Sequence, residues 1–321
     1  MRTTTSSGTA LGSVVASLLF SRGESFGFDN AFTRTNQGSP GSNVTLPRNR
    51  AEAESLGWVQ SVRDDGSPCR PGLGFEYTEG ASVHTQERPL SLFFDAGADS
   101  GLLTALSLRA WFQNTSSYNP DSWPAPAFGA SDSTERWLTV NTRDPAMACE
   151  AGTRAAADED ALGDRLTFNN AGARVAIPLE EPEDPDGAWK SGACDSNMGR
   201  HWGFPLDADP ASGGLLGYDH GVHVLPVNPM YSVVDGPGLG QITALAFFTT
   251  EPQVTQKSGG VWDASGTPAQ LCAGNYCVDS TECVFGASNS VFHVFFIDQW
   301  SAPAQCPNGS PDCPAASRQF N

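Results

Sequence analysis

Two stretches of this chain share a skeleton, and that constrains its fold more than any other feature. Val222 to Leu245 reads VHVLPVNPMYSVVDGPGLGQITAL, and Val83 to Leu106 reads VHTQERPLSLFFDAGADSGLLTAL. They align without a gap at an offset of 139. Val-His opens each, Gly stands at 97/236 and 101/240, and Leu- or Ile-Thr-Ala-Leu closes each. Self-similarity at a fixed period points to one structural unit used twice.

The flanks extend the pattern in the same order. Upstream, CRPGLGFEY from Cys69 matches CDSNMGRHW from Cys194, with Trp58 and Trp189 before them. Downstream, Trp137 to Gly152 resembles Trp262 to Gly274, and the apolar runs 173–179 and 292–298 close the copies. One coincidence disturbs this register: FGASDS at 128–133 and FGASNS at 285–290 lie 157 apart.

Within the repeat, β-formers end at Phe94, a turn follows, and a second β-like run reaches Phe112. The glycines supply turn conformations at low steric cost. Alternation in the closing run is weak, which suits a strand covered on both faces. Pro226 and Pro229 predict an edge or a bulge in the second copy. The expected fold is therefore mainly β: two tandem related units, sandwich- or barrel-like, packed about a pseudo-twofold axis. Gly and Pro are plentiful, at 34 and 23 residues, in keeping with a turn-rich β protein.

The boundaries follow from composition. Residues 1–23 read as a secretory signal: Arg2, then a short apolar run from Ala10 to Phe20. Residues 24–55 read as a polar, weakly ordered arm, 56–180 as the first β unit and 186–300 as the second. Between the units lies PLEEPEDPDGA, 178–188, whose acidic, Pro-rich makeup predicts an extended linker. Residues 301–321 read as a tail in which Cys306 and Cys313 close a small loop. No run is long enough for a transmembrane helix. The expected location is secreted, outside the cell.

Eight cysteines in a chain expected to be exported read as disulfide candidates: Cys69, Cys149, Cys194, Cys272, Cys277, Cys283, Cys306 and Cys313. The repeat pairs 69 with 149 and 194 with 272, leaving 277–283 and 306–313 as local loops. A zinc site in CAGNYCVDSTEC is the competing reading, although structural zinc sites usually hold a tighter pair. Sequons at Asn43, Asn114 and Asn308 predict a glycoprotein. A formal net charge of −18 argues against nucleic acid, whose phosphates need clustered cations.

Two function classes remain. No nucleophile elbow, H-E-x-x-H, P-loop or dinucleotide fingerprint occurs, and carboxylates suited to glycoside hydrolysis cannot be located. The leading expectation is a non-catalytic recognition or matrix-type protein binding extracellular glycan or protein, with no cofactor. Trp123 in NPDSWPAPAFG is its contact candidate, because flanking prolines pre-organise it. Trp58/Trp189 and Trp137/Trp262 recur and read as core. The alternative is a metal-dependent enzyme holding a transition metal on His201, His220, His223 and His293 of the second copy. In the alignment, His223 matches His84, His201 faces Glu76, His220 falls near Ser82, and His293 faces Arg174.

Overall fold

The computed structural model describes residues 30–35, 43–62, 66–80, 88–97, 101–111, 135–143, 148–149, 166–170, 173–183, 189–195, 199–203, 227–232, 240–249, 261–264 and 290–297. They form two antiparallel sheets and one short helix. Sheet one contains β3 (Trp58–Gln60), β4 (Cys69–Arg70), β5 (Gly74–Glu79), β6 (Leu90–Phe94), β7 (Leu103–Trp111), β8 (Glu135–Asn141), β9 (Leu166–Asn170) and β10 (Ala173–Ile177). Its order is β10-β9-β8-β7-β6-β5-β3, with β4 also on β5. Sheet two contains β1 (Asn30–Thr35), β2 (Asn43–Thr45), β11 (Lys190–Asp195), β12 (Gly199–Gly203), β13 (Val227–Tyr231), β14 (Ile242–Thr249), β15 (Asp263–Ala264) and β16 (Ser290–Ile297). Its order is β11-β12-β13-β14-β16-β1-β2, with β15 also on β16.

The sheets pack face to face as a β-sandwich, and one apolar core lies between them. Tyr77, Leu92, Leu106, Val140 and Phe168 come from sheet one; Phe32, Tyr231, Leu245, Phe292 and Phe296 come from sheet two. Each such side chain, fully buried, contributes roughly 1.5–3 kcal/mol. The ion pair of Arg34 in β1 with Glu79 in β5, at 2.6 Å, also ties the two sheets.

Corresponding strands share local detail. In β6–β7, Phe93 pairs with Ala105; in β13–β14, Met230 pairs with Ala244. Thr104 Oγ1 donates to the Phe93 carbonyl at 3.0 Å, and Thr243 Oγ1 to the Met230 carbonyl at 3.1 Å. Gly74 and Gly199 both have positive φ, at 115° and 99°. A Cβ at Gly74 would run into the Phe94 carbonyl, and one at Gly199 into that of Tyr231, so only glycine fits either place. Edge-on Tyr77–Phe94 and Trp202–Tyr231 contacts occupy matching positions.

The register corrects the alignment in three places. A gapless match sets Phe93 against Ser232, whereas the ladder gives Met230, so the second hairpin carries two more residues in its turn. The closing run of copy one, ARVAI, was matched to the run that forms β16. It forms β10 at the outer edge, and β8 takes the place corresponding to β16, each pairing with the long central strand. Trp137 and Trp262 are not equivalent: Trp262 joins the main core, while Trp137 lies on the outer face of sheet one with Phe93 and Ala105. Pro229 pairs with Leu245 on β14, the pairs from β13 to β12 stop at Met230, and a register shift follows at Met230/Tyr231, in keeping with the edge or bulge expected.

The chain boundaries change too. Residues 24–55 hold β1, β2 and α1 (Arg50–Ser55), so this segment is no weakly ordered arm where it is described. Three apolar residues dispersed through a polar stretch decide this: Phe32, Leu46 and Ala53 are all buried. The Asn49 side chain caps α1 by accepting from the Glu52 N–H at 2.9 Å. β1 and β2 extend sheet two, so the sheets do not coincide with the sequence units. The start of the expected linker is likewise built in.

Two short straps connect the sheets. After Leu46 on the edge of sheet two, Arg48 accepts from the Leu103 N–H and Arg50 donates to the Gly101 carbonyl in sheet one. After Ile177 on the edge of sheet one, Leu179 accepts from the Ile242 N–H and Glu181 donates to the Gly240 carbonyl in sheet two. The isolated bridges Asn49–Leu102 and Glu180–Gln241 complete the correspondence. Each edge hairpin thus sends a strap to the opposite sheet.

Candidate functional site

The straps fix which ends of the sheets coincide. Gly101 and Leu103 in sheet one, and Gly240 and Ile242 in sheet two, lie at the strap end. β7 then runs away to Trp111, paired with Glu135 at the start of β8. β14 runs away to Thr249, paired with Ser290 at the start of β16. β5 and β12 run the same way, so connections 80–89, 112–134, 204–226 and 250–289 all leave from the end opposite the straps. Those connections hold His84, Trp123, His220 and His223. All four residues lie outside the described residues.

The outer face of sheet one carries a dense polar cluster. Glu76 on β5 is 1% exposed and receives a hydrogen bond from Ser91 on β6 at 2.8 Å. Its carboxylate pairs with Arg109 on β7 at 3.2 Å and with Arg70 on β4 at 2.5 Å. Arg109 also pairs with Glu135 on β8. Both guanidiniums lie over the Trp137 ring, Arg109 at 4.9 Å and Arg70 at 6.0 Å from its centroid. Alternation places these side chains together, because Glu76, Phe93 and Ala105 share a row, as do Ser91, Ser107 and Thr139. Among the described residues the cluster sets two cations against two carboxylates, and its cross-strand ties suit scaffold rigidity. Sequence reading missed it: its members come from five strands, and no spacing in the chain joins them.

On sheet two the corresponding face is less charged. His201 lies in a row with Met230, Ala244 and Phe295; His293 lies in the next row with Ala246 and Asn228. His201 occupies the place of Glu76, as the alignment proposed. His293 occupies the place of Thr139 rather than that of Arg174. Both histidines are buried, at 8% and 6% exposure. They stand on β12 and β16 with two strands between them, about 14 Å apart at ordinary strand spacing. One metal ion bound directly cannot span that gap, so His201 and His293 are not brought together, while His220 and His223 lie outside the described residues. Among the described residues there is no group of three His, Cys, Asp or Glu side chains placed to hold a metal.

Cys69 and Cys149 are disulfide-bonded, the pair that the repeat joined in copy one. Cys194 lies in β11. Cys272, Cys277, Cys283, Cys306 and Cys313 lie outside the described residues, as do the expected signal at 1–23 and the tail at 301–321.

One strap carries a titratable group. Glu181 is 3% exposed, accepts from the Trp202 indole N–H at 3.1 Å and faces Arg200 at 3.6 Å. Burial raises its carboxyl above the ordinary 4.5, against the opposing pull of Arg200 and the indole. The folded protein therefore holds this proton more tightly than the unfolded chain does. The resulting stability is full below the unfolded pKa and is lost as pH rises through the folded one. Glu181→Gln should flatten the stability–pH curve over that window in urea unfolding. An unaltered curve would show that the strap carboxyl does not govern it.

Tyr77 shows a related effect. Burial, aided by its 2.9 Å hydrogen bond to Glu54, pushes the phenol up to about 12 and keeps it neutral. Compared with known protein families, with curated proteins and with solved structures, the chain matches none.

Proposed function

We propose that this chain is a secreted, non-catalytic recognition protein that binds extracellular glycan or protein. The observation that carries the reading is the common end of connections 80–89, 112–134, 204–226 and 250–289. The last of these includes β15, whereas 142–165 leaves from the strap end. A rigid two-sheet scaffold that gathers long connections at one end is a general solution for binding, since the scaffold fixes loops that are free to vary. Trp123 belongs to the connection between Trp111 and Glu135, and a tryptophan flanked by prolines gives contact area at low entropic cost. The Cys69–Cys149 disulfide fits an oxidising compartment. Among the described residues no helix is long and apolar enough to cross a membrane.

A glycan array with the intact chain tests the reading. Trp123→Ala should weaken binding at least tenfold, about 1.4 kcal/mol. Equal binding by the variant would remove this loop as the contact.

A further inference from the structure

We propose that Cys194 is disulfide-bonded to Cys306, so that the chain after β16 is tied back across sheet two as Cys149 ties the chain after β8 across sheet one. This bond does not depend on what the chain binds.

The strand registers make Cys194 the counterpart of Cys69. In sheet one Cys69 pairs with Phe75, the residue after Gly74, and Phe75 pairs with Phe94. In sheet two Cys194 pairs with Arg200, the residue after Gly199, and Arg200 pairs with Tyr231. Both glycines have positive φ. Phe94 and Tyr231 each follow the residue whose carbonyl accepts the threonine hydroxyl, Phe93 and Met230. The two cysteines therefore stand at the same place in their sheets.

The partner follows from the other side of each hairpin. Ala105 on β7 pairs with Asn141 on β8, and Ala244 on β14 pairs with Phe295 on β16, so Asn141 and Phe295 correspond. Both strands leave at the strap end. Cys149 comes eight residues after Asn141, and Cys306 eleven after Phe295. In sheet one the path from β8 to β4 crosses four strand steps, and in sheet two the path from β16 to β11 crosses four. Four steps are about 19 Å at ordinary strand spacing. The nine residues from Ile297 to Cys306 reach up to about 30 Å, so the crossing is made with slack.

Cys272 is poorly placed for the same bond. Ala264 on β15 pairs with Ser290, and Ser290 pairs with Thr249, at the end away from the straps. Cys194 stands level with Tyr231 and Ile242, at the strap end. From Ala264 it lies five strand steps across and seven residues along, about 33 Å. The eight residues from Ala264 to Cys272 close that distance only when drawn almost straight. The match that joined Cys194 to Cys272 also ran through Trp137 and Trp262, which occupy different faces. With 194–306 and 69–149 joined, Cys272, Cys277, Cys283 and Cys313 remain, an even set to pair among themselves.

The bond forms by thiol–disulfide exchange. The Cys194 and Cys306 thiols give up two protons and two electrons as Sγ joins Sγ, and a donor disulfide is reduced to two thiols.

Peptide mapping by mass spectrometry tests the pairing on the intact wild-type chain. The chain is equilibrated with glutathione disulfide as the donor, alkylated, and digested without reduction. A cross-linked peptide containing Cys194 and Cys306 should appear beside the one containing Cys69 and Cys149, and it should vanish on reduction. Cys194 joined to Cys272, Cys277, Cys283 or Cys313, or recovered as an alkylated free thiol, would overturn the proposal. In a second measurement, Cys194→Ser/Cys306→Ser should unfold at a lower urea concentration than wild type, because the bond closes a loop longer than that of Cys69–Cys149. An unchanged midpoint would overturn the proposed tie as a constraint on the fold.

Discussion

Glu76→Ala should destabilise the protein by about 3–5 kcal/mol, the range seen when one partner of a buried ion pair is removed. The carboxylate is 1% exposed and receives Ser91, Arg70 and Arg109 together. Deleting it takes a buried carboxylate from two guanidiniums, themselves only 11% and 12% exposed, on a face they cannot leave without breaking their contact with Trp137. It leaves Arg109 paired with Glu135 alone among the described carboxylates. Because the groups act as a network, Glu76→Ala and Arg109→Ala should not add. A double-mutant cycle in urea should give a coupling of about 1 kcal/mol or more. A loss below about 1 kcal/mol for Glu76→Ala would mean that water reaches this face freely.

The second large effect concerns the Cys69–Cys149 bond. Its sequence separation of 80 residues closes a long loop in the unfolded chain. In the chain-entropy account, removing such a cross-link costs on the order of 4 kcal/mol. The double variant Cys69→Ser/Cys149→Ser is the appropriate test, since a reductant would act on every disulfide at once. Its urea midpoint should fall, and its slope should rise as the unfolded state expands. An unchanged midpoint would show that the unfolded chain is already compact about this loop.

The sequence carried the fold class, the closing strand of each hairpin and the first disulfide pair. Each is a local or evenly spaced signal: Thr104 and Thr243, Gly74 and Gly199, Cys69 and Cys149 can be matched by counting along the chain. The opening strand of the second hairpin was misplaced by two residues because turn length does not show in a gapless alignment. The Glu76 cluster was invisible, because Arg70, Arg109 and Glu135 meet Glu76 only after five strands pair in one register.

The histidines illustrate the same limit. His201, His220, His223 and His293 looked like a set because they are all in one copy. The register then set His201 and His293 on strands separated by β13 and β14. Membership of one segment is no measure of distance in a sheet, where neighbours are fixed by strand order.

What the sequence determined by itself is the kind of structure, since β-forming runs, turn glycines and cysteine count are properties of single positions and short spans. Tertiary structure alone decided that β1 and β2 join sheet two and what gathers on the outer face of sheet one. Phe32 finds Phe296 across more than 200 residues of chain, and only the packed sheets bring those rings within reach of one another.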